Sequence, residues 1–288
     1  MKPRVPREVP GGTQPAAVDR LYRILTGPPA GAPLVMTPPA GVAATRPDDG
    51  VPSPVERVTQ PWDGVDVVIS TSGSTSGVGH LVGLSRAALE ASAQATFARL
   101  HGPGQWLTSL PIHHIAGFQV VLRSAVAGIP PLIHAGNPAT LAAEIDSMRA
   151  DVPRYLSLVP TQLLRLLETE PAPLTRLDAI LVGGAALPPA VAERARGAGV
   201  PIVTTYGMTE TAGGCVYDGV PLPGVSVNLE EGRILLAGPM LATRYLEAAD
   251  QPFRDVDGVR HLVTSDLGEW RDGRLAILWR ADDVLISG

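Results

Sequence analysis

Residues 67–85 read VVISTSGSTSGVGHLVGLS, and the fold turns on how this stretch is parsed. Val67, Val68 and Ile69 make a short apolar run of the kind that forms a buried strand. A loop follows, carrying Gly73, Gly77, Gly79 and Gly83 and opening with the hydroxyls of Thr71, Ser72, Ser74, Thr75 and Ser76. Ser85 is a good N-cap for the helical run RAALEASAQATFARL. The expected layout is strand, Gly-rich loop, helix, in which backbone N–H groups and hydroxyls wrap a phosphate. It is not a Walker A loop, which needs a lysine. Taken alone, the stretch also fits a plain flexible connection.

Outward from this stretch, strand-like and helical runs alternate. Strands are expected at 67–70, 106–110, 132–134, 155–158, 179–182 and 202–205. Helices are expected at 86–100, 118–127, 139–149, 161–168 and 189–196. Such alternation with short links predicts a layered α/β fold with a largely parallel sheet, whose ligands sit beyond the carboxyl ends of the strands. After Gly213 the pattern changes to short β runs joined at Glu231-Gly232, Asp257-Gly258 and Asp272-Gly273, which predicts an antiparallel β subdomain. The divisions expected are a short, Pro- and Gly-rich N-terminal elaboration (1–64), an α/β core binding nucleotide and acyl group (65–213), a β subdomain (214–280) and a hinge (281–288).

Composition narrows the function. The 288 residues are 45% hydrophobic and 18% charged, ordinary for a globular protein. A net charge of −5 argues against nucleic-acid binding. No apolar run approaches membrane-spanning length and the start is too polar for a signal peptide, so a cytoplasmic protein with no membrane contact is expected. Cys215 is the single cysteine, which excludes an internal disulfide. Of the 23 basic residues only Lys2 is a lysine, so no buried catalytic lysine is available within this chain.

Six further segments carry candidate chemistry. LPIHHIAGFQVVLRS (110–124) puts His113 and His114 at a strand-to-helix junction, with no acid or further His at zinc-ligand spacing. SLVPTQLLRLL (157–167) is a strand, a proline break and an amphipathic helix. ILVGGAALP (180–188) ends a strand in a Gly-Gly turn. TTYGMTET (204–211) follows another strand, and LVTSDLGEW (262–270) and ILWRADDVLISG (277–288) lie in the β region.

In order and spacing these motifs resemble the adenylate-forming superfamily of acyl-CoA ligases, adenylation domains and luciferases. Residues 71–75 are similar to its phosphate loop TSG[ST]TG-x-P-K-G, but here one residue is added, the proline is missing, and His80 stands about where the family has lysine. The resemblance implies ATP contacts from Thr71, Ser72, Gly73, Ser74, Thr75 and Ser76. It implies an adenine element at Gly183, Gly184 and Ala185, with Tyr206 and Gly207 beside the base. Thr209 would bond the α-phosphate, Glu210 would ligate Mg²⁺, Asp266 would accept from the ribose hydroxyls, and Arg280 would reach the ribose or phosphate. His114 would border the carboxylate to be activated, completing a catalytic set with Thr209 and Glu210.

The phrases at 110–124 and 157–167 resemble the o-succinylbenzoate–CoA ligase branch. Ser157 and Thr161 would then border the acyl group, and Arg123 and Arg165 are candidates for a second anion-binding point, since an unpaired buried charge is costly. The implied reaction consumes ATP, a small-molecule carboxylate and coenzyme A. A small C-terminal domain is expected in cis, with low activity from this chain alone; the oligomeric state stays open, a homodimer included. Two rivals stand beside this reading: another acyl-CoA ligase or adenylation domain, and a nucleotide-binding module without catalysis.

Overall fold

The computed structural model describes residues 5–28, 31–39, 53–71, 79–134 and 136–280. The chain begins with β1 (Arg7–Pro10), α1 (Pro15–Thr26), β2 (Leu34–Thr37), β3 (Val67–Ser70) and β4 (Leu81–Leu84). Helices and strands then alternate. α2 (Arg86–Arg99), β5 (Gln105–Thr108), α3 (Ile115–Ala127), β6 (Leu132–Ile133) and α4 (Pro138–Asp146) come first. β7 (Arg154–Leu158), α5 (Pro160–Thr169), β8 (Ala179–Val182), α6 (Pro189–Gly197) and β9 (Ile202–Met208) continue the alternation. The remainder is β: β10 (Gly213–Tyr217), β11 (Val220–Pro221), β12 (Ser226–Glu230), β13 (Arg233–Ala237), β14 (Arg244–Tyr245), β15 (Phe253–Val256), β16 (Val259–Arg271) and β17 (Arg274–Arg280).

These strands make three sheets. The first has the order β1-β2-β3-β4-β14, the second β11-β10-β9-β8-β7-β5-β6, and the third β12-β13-β16-β15 with β17 on β16. In the second sheet β9, β8, β7, β5 and β6 run parallel, and β10 turns back antiparallel on β9. The third sheet is antiparallel throughout. The expected α/β layering followed by antiparallel β is therefore present. Among the described residues no helix is long and apolar enough to cross a membrane.

The organising stretch departs from its sequence reading at one point. Residues 81–84 form β4, antiparallel to β3, with Ser70 opposite Leu81 and Val67 opposite Leu84. The Gly-rich segment thus joins a hairpin and does not lead into a helix. Ser85 does cap α2, its Oγ accepting from the Ala88 N–H at 3.1 Å. That helix start lies beside the beginning of β3, however, where the Arg86 N–H donates to Asp66 Oδ2 at 2.8 Å. Four strand residues at about 3.3 Å each separate it from the loop by roughly 13 Å. A helix dipole acts within about its first turn, so it gives a phosphate in the loop little help.

Two expected divisions are crossed by strand pairing. β1 and β2 run parallel beside β3, Leu34 facing Val67, so Arg7–Pro10 and Leu34–Thr37 belong to the same sheet as β3. β10 pairs with β9 and β14 pairs with β4, so the β region is stitched into both earlier sheets.

α3 explains why the layers cohere. Its residues 117–124 are all buried, because one side packs on the first sheet and the other on the second. Phe118, Val121 and Leu122 join the core with Ile69 and Leu84, while Val120 joins Trp106, Tyr155 and Tyr217. A helix buried all round suits such a middle layer, and each large apolar side chain buried there contributes roughly 1.5–3 kcal/mol. Gly117 is required at the helix start, since a Cβ there would lie 2.3 Å from the Pro111 carbonyl oxygen. A separate core lies between the second sheet and α4, α5 and α6.

Candidate nucleotide and acyl site

The carboxyl ends of β8 and β9 place the first set of predicted residues. Gly183 leaves β8 so close to β9 that a Cβ would lie 2.2 Å from Thr205 Oγ1. Gly184 and Ala185 beyond it are exposed, giving a flat open ledge. β9 carries Tyr206 and Gly207, then turns sharply through Thr209, Glu210 and Thr211 into β10. The Thr211 hydroxyl fixes that turn, accepting from the Met208 N–H at 2.9 Å and donating to the Gly213 carbonyl at 2.7 Å. Thr209 and Glu210 are thereby held in buried positions.

Tyr206 and Asp266, distant in sequence, meet here: the phenol donates to Asp266 Oδ2 at 2.7 Å. Burial, and then the adjacent carboxylate, push the Tyr206 pKa upward, so it stays a donor. The Asp266 backbone N–H is held in turn by Thr264 Oγ1 at 3.1 Å. A carboxylate has about four lone-pair positions, the chemistry that ribose hydroxyls would need. In the β16–β17 pair Arg280 stands opposite Asp266. Its side chain, and residues Ser72, Gly73, Ser74, Thr75 and Ser76, lie outside the described residues.

Glu210 is held at both ends. Its carbonyl accepts from the Ala242 N–H at 2.8 Å, and its Oε1 accepts from the Tyr245 hydroxyl at 2.6 Å. The Tyr245 ring stacks on His80, with centroids 4.3 Å apart and planes 7° from parallel. His80 Nδ1 pairs with Glu247 Oε1 at 2.8 Å, and the Leu81 N–H donates to Glu247 Oε2 at 2.9 Å. Thr71 is bound to the same strand start, its Oγ1 accepting from the His80 N–H at 2.8 Å. The residue at the loop-lysine position therefore turns to Glu247 and Tyr245. Neither Tyr245 nor Glu247 carried a sequence signal; only the fold brings them to Glu210 and His80.

For Mg²⁺ the donor set fits. Among the described residues no group of three or more His, Cys, Asp or Glu gathers, so a self-contained protein cage is absent. One buried carboxylate beside a threonine hydroxyl suits a hard cation that keeps waters and shares phosphate oxygens. Glu210 would hold it.

The acyl side is built differently. His114 begins α3 and is exposed, while His113 packs under Gly11, where an added Cβ would lie 2.7 Å from His113 Nδ1. Burial, and then its neighbour His114, push the His113 pKa down to about 4. Partial shielding lowers His114 as well. Ser157 is buried on β7, and its carbonyl accepts from Ser109 Oγ at 3.0 Å. Thr161 and Arg165 lie on the exposed face of α5, opposite Leu163, Leu166 and Leu167.

Arg123 is the exception among the arginines of these segments. It is only 4% exposed, its guanidinium lies 5.1 Å from the Trp106 ring centroid, and one amino group donates to the Tyr217 hydroxyl at 3.4 Å. Burial lowers its pKa, and no carboxylate pairs with it among the described residues. Its Nε, Trp106 Nε1, Ser92 Oγ and Gln119 Oε1 are all buried without a hydrogen-bond partner. Sequence reading named Arg123 and missed the other three, which look like ordinary helix and strand residues.

An open Gly183–Ala185 turn and the buried Glu210 lie at the carboxyl ends of β8 and β9, where an AMP-binding enzyme would hold its nucleotide. The family model of that description, AMP-binding enzyme, matches residues 26–246, and the chain belongs to this family of AMP-forming ligases. It is 39% identical over 292 residues to a probable 2-succinylbenzoate–CoA ligase of Mycobacterium tuberculosis, covering 97% of this chain and 73% of the relative. The o-succinylbenzoate coenzyme A synthetase of Bacillus subtilis in complex with AMP superposes with a TM-score of 0.78 at 21% identity, covering 98% of this chain and 87% of that one. The same enzyme in complex with ATP and magnesium gives a TM-score of 0.68 at 26% identity, over 80% and 53%.

Proposed function

We propose that this chain carries the nucleotide and acyl sites of an o-succinylbenzoate–CoA ligase. The carboxylate of the substrate attacks the α-phosphorus of ATP, pyrophosphate leaves, and coenzyme A then displaces AMP to give the thioester. The Gly183–Ala185 ledge and Tyr206 face the adenine, Asp266 accepts from the ribose, and Thr209 bonds the α-phosphate. His114, neutral at physiological pH, borders the reacting carboxylate. Mg²⁺ held by Glu210 would neutralise phosphate charge. These groups act mainly by positioning and preorganised electrostatics.

One observation carries the substrate assignment: Arg123 is buried, its Nε has no hydrogen-bond partner, and no carboxylate pairs with it among the described residues. A buried guanidinium without an anion is costly, and a second carboxylate on the substrate would satisfy it through the planar fork. Trp106 Nε1 and Ser92 Oγ supply further bonds. Arg165, exposed on α5, is the weaker candidate. The test is calorimetric titration with a non-hydrolysable o-succinylbenzoyl-adenylate analogue against its benzoyl counterpart. The succinyl carboxylate should tighten binding at least tenfold; equal affinities would remove the substrate assignment and leave the nucleotide site standing.

A further inference from the structure

We propose that Tyr245 is the positioning residue for Glu210, and that the His80–Glu247 pair braces it from behind, so that the loop end at Thr71 and the metal carboxylate form one rigid unit. The inference rests on Glu210 being the Mg²⁺ ligand. Three observations support it. Tyr245 Oη and Glu210 Oε1 are 2.6 Å apart, and among the described residues Glu210 Oε2 has no hydrogen-bond partner. The hydroxyl therefore takes one carboxylate oxygen and turns the other to a cation.

The Tyr245 ring is fixed by a nearly parallel stack on His80, itself pinned by Glu247, whose second oxygen anchors the start of β4. The Tyr245 backbone is clamped on both edges. β4 pairs with one edge, and the Gln251 side chain serves the other, accepting from the Tyr245 N–H at 2.7 Å and donating to its carbonyl at 3.1 Å. A two-residue strand has little hold of its own, so the double clamp is what makes Tyr245 a fixed point. His80 stands about where the loop lysine of related sequences falls, and its partners assign it a bracing role.

Outer partners that orient a ligating carboxylate typically change metal affinity by 10–100-fold when removed. The test measures ATP binding to the full chain by calorimetry across a Mg²⁺ titration and in EDTA, with thermal melts recorded for each variant. Tyr245→Phe keeps the stack and removes the hydroxyl. It should raise the Mg²⁺ concentration for half-maximal enhancement about tenfold, leave ATP binding in EDTA unchanged, and add nothing on top of Glu210→Gln.

His80→Ala, on the exposed side of the stack, should shift the midpoint in the same direction by a few-fold, and it serves should Tyr245→Phe fail to fold. If Glu210→Gln abolishes the Mg²⁺ dependence while Tyr245→Phe, or His80→Ala in its place, leaves the midpoint unmoved, the positioning role is overturned and Glu210 remains the ligand. If Glu210→Gln itself leaves the Mg²⁺ dependence intact, the metal assignment beneath the proposal fails.

Discussion

The side proposed to take the nucleotide and the side proposed to take the acyl group are prepared in opposite ways. Around β8, β9 and β16 the functional groups already hold one another: Tyr206 on Asp266, Tyr245 on Glu210, Thr211 across its turn. Around α3, among the described residues, four polar atoms are buried and unmet: Arg123 Nε, Trp106 Nε1, Ser92 Oγ and Gln119 Oε1. A satisfied network lowers the reorganisation needed on binding, whereas unmet donors make a site that rejects any ligand unable to complete them. The first arrangement suits a nucleotide common to many reactions. The second suits the part of the substrate that must be distinguished.

The largest expected effect separates the two sides. Arg123→Met should cost the o-succinylbenzoyl-adenylate analogue about a hundredfold in affinity, the scale of about 3 kcal/mol for removing one partner of a buried charge pair. AMP affinity should stay within about twofold, and the melting temperature should hold or rise, because an apolar side chain replaces a desolvated charge. Equal losses for AMP and the analogue in titration calorimetry would show that the two sides act as one.

Next in size, Asp266→Ala should weaken AMP and ATP alike by about 1.5–3 kcal/mol, the range for hydrogen bonds to a charged group. Competition binding with a fluorescent nucleotide checks it, and an unchanged constant would take the ribose role away from Asp266.

The smallest effect is a pH dependence at the acyl side. The folded His113 pKa, about 4, lies below the ordinary value of 6.5. Between those values the unfolded chain binds a proton that the folded chain refuses, so stability is fully present above pH 7 and declines as pH falls through 6.5 towards 4. After allowance for its partial solvent contact, the loss should be about 1–2 kcal/mol. Urea midpoints at pH 7.5 and 5 should reveal it, and His113→Gln should flatten most of the difference. A parent and variant with the same pH slope would mean that His113 is not held neutral.

How much of this was legible in the sequence depended on the range of the interaction. β3 and β8 were readable because three and four apolar residues, respectively, end at a break in the pattern, and the helix starting at Arg86 because Ser85 announces it. β4 has an equally apolar run, Leu81–Leu84, but the glycines before it and the cap after it suggested continuous loop. β2 was hidden in a Pro- and Gly-rich passage for the same reason. TTYGMTET was legible as a candidate because its residues fall at one strand end and the turn after it. The partners of that turn were not: Tyr245 lies 35 residues from Glu210, and Glu247 lies 167 from His80. Burial of Arg123 was also out of reach, because α3 is covered on both sides only once the sheets have closed around it.

The strand Arg244–Tyr245 has a consequence for how the chain matures. β4 is an apolar strand whose outer edge is completed only by β14, roughly 160 residues later in the chain. At about 5–20 residues per second, synthesis leaves that edge open for roughly 8–30 s. An unpaired apolar edge is a template for pairing with another chain. The interval between β4 and β14 is thus the window in which the nascent protein is most exposed to aggregation, and in which chaperone protection matters most.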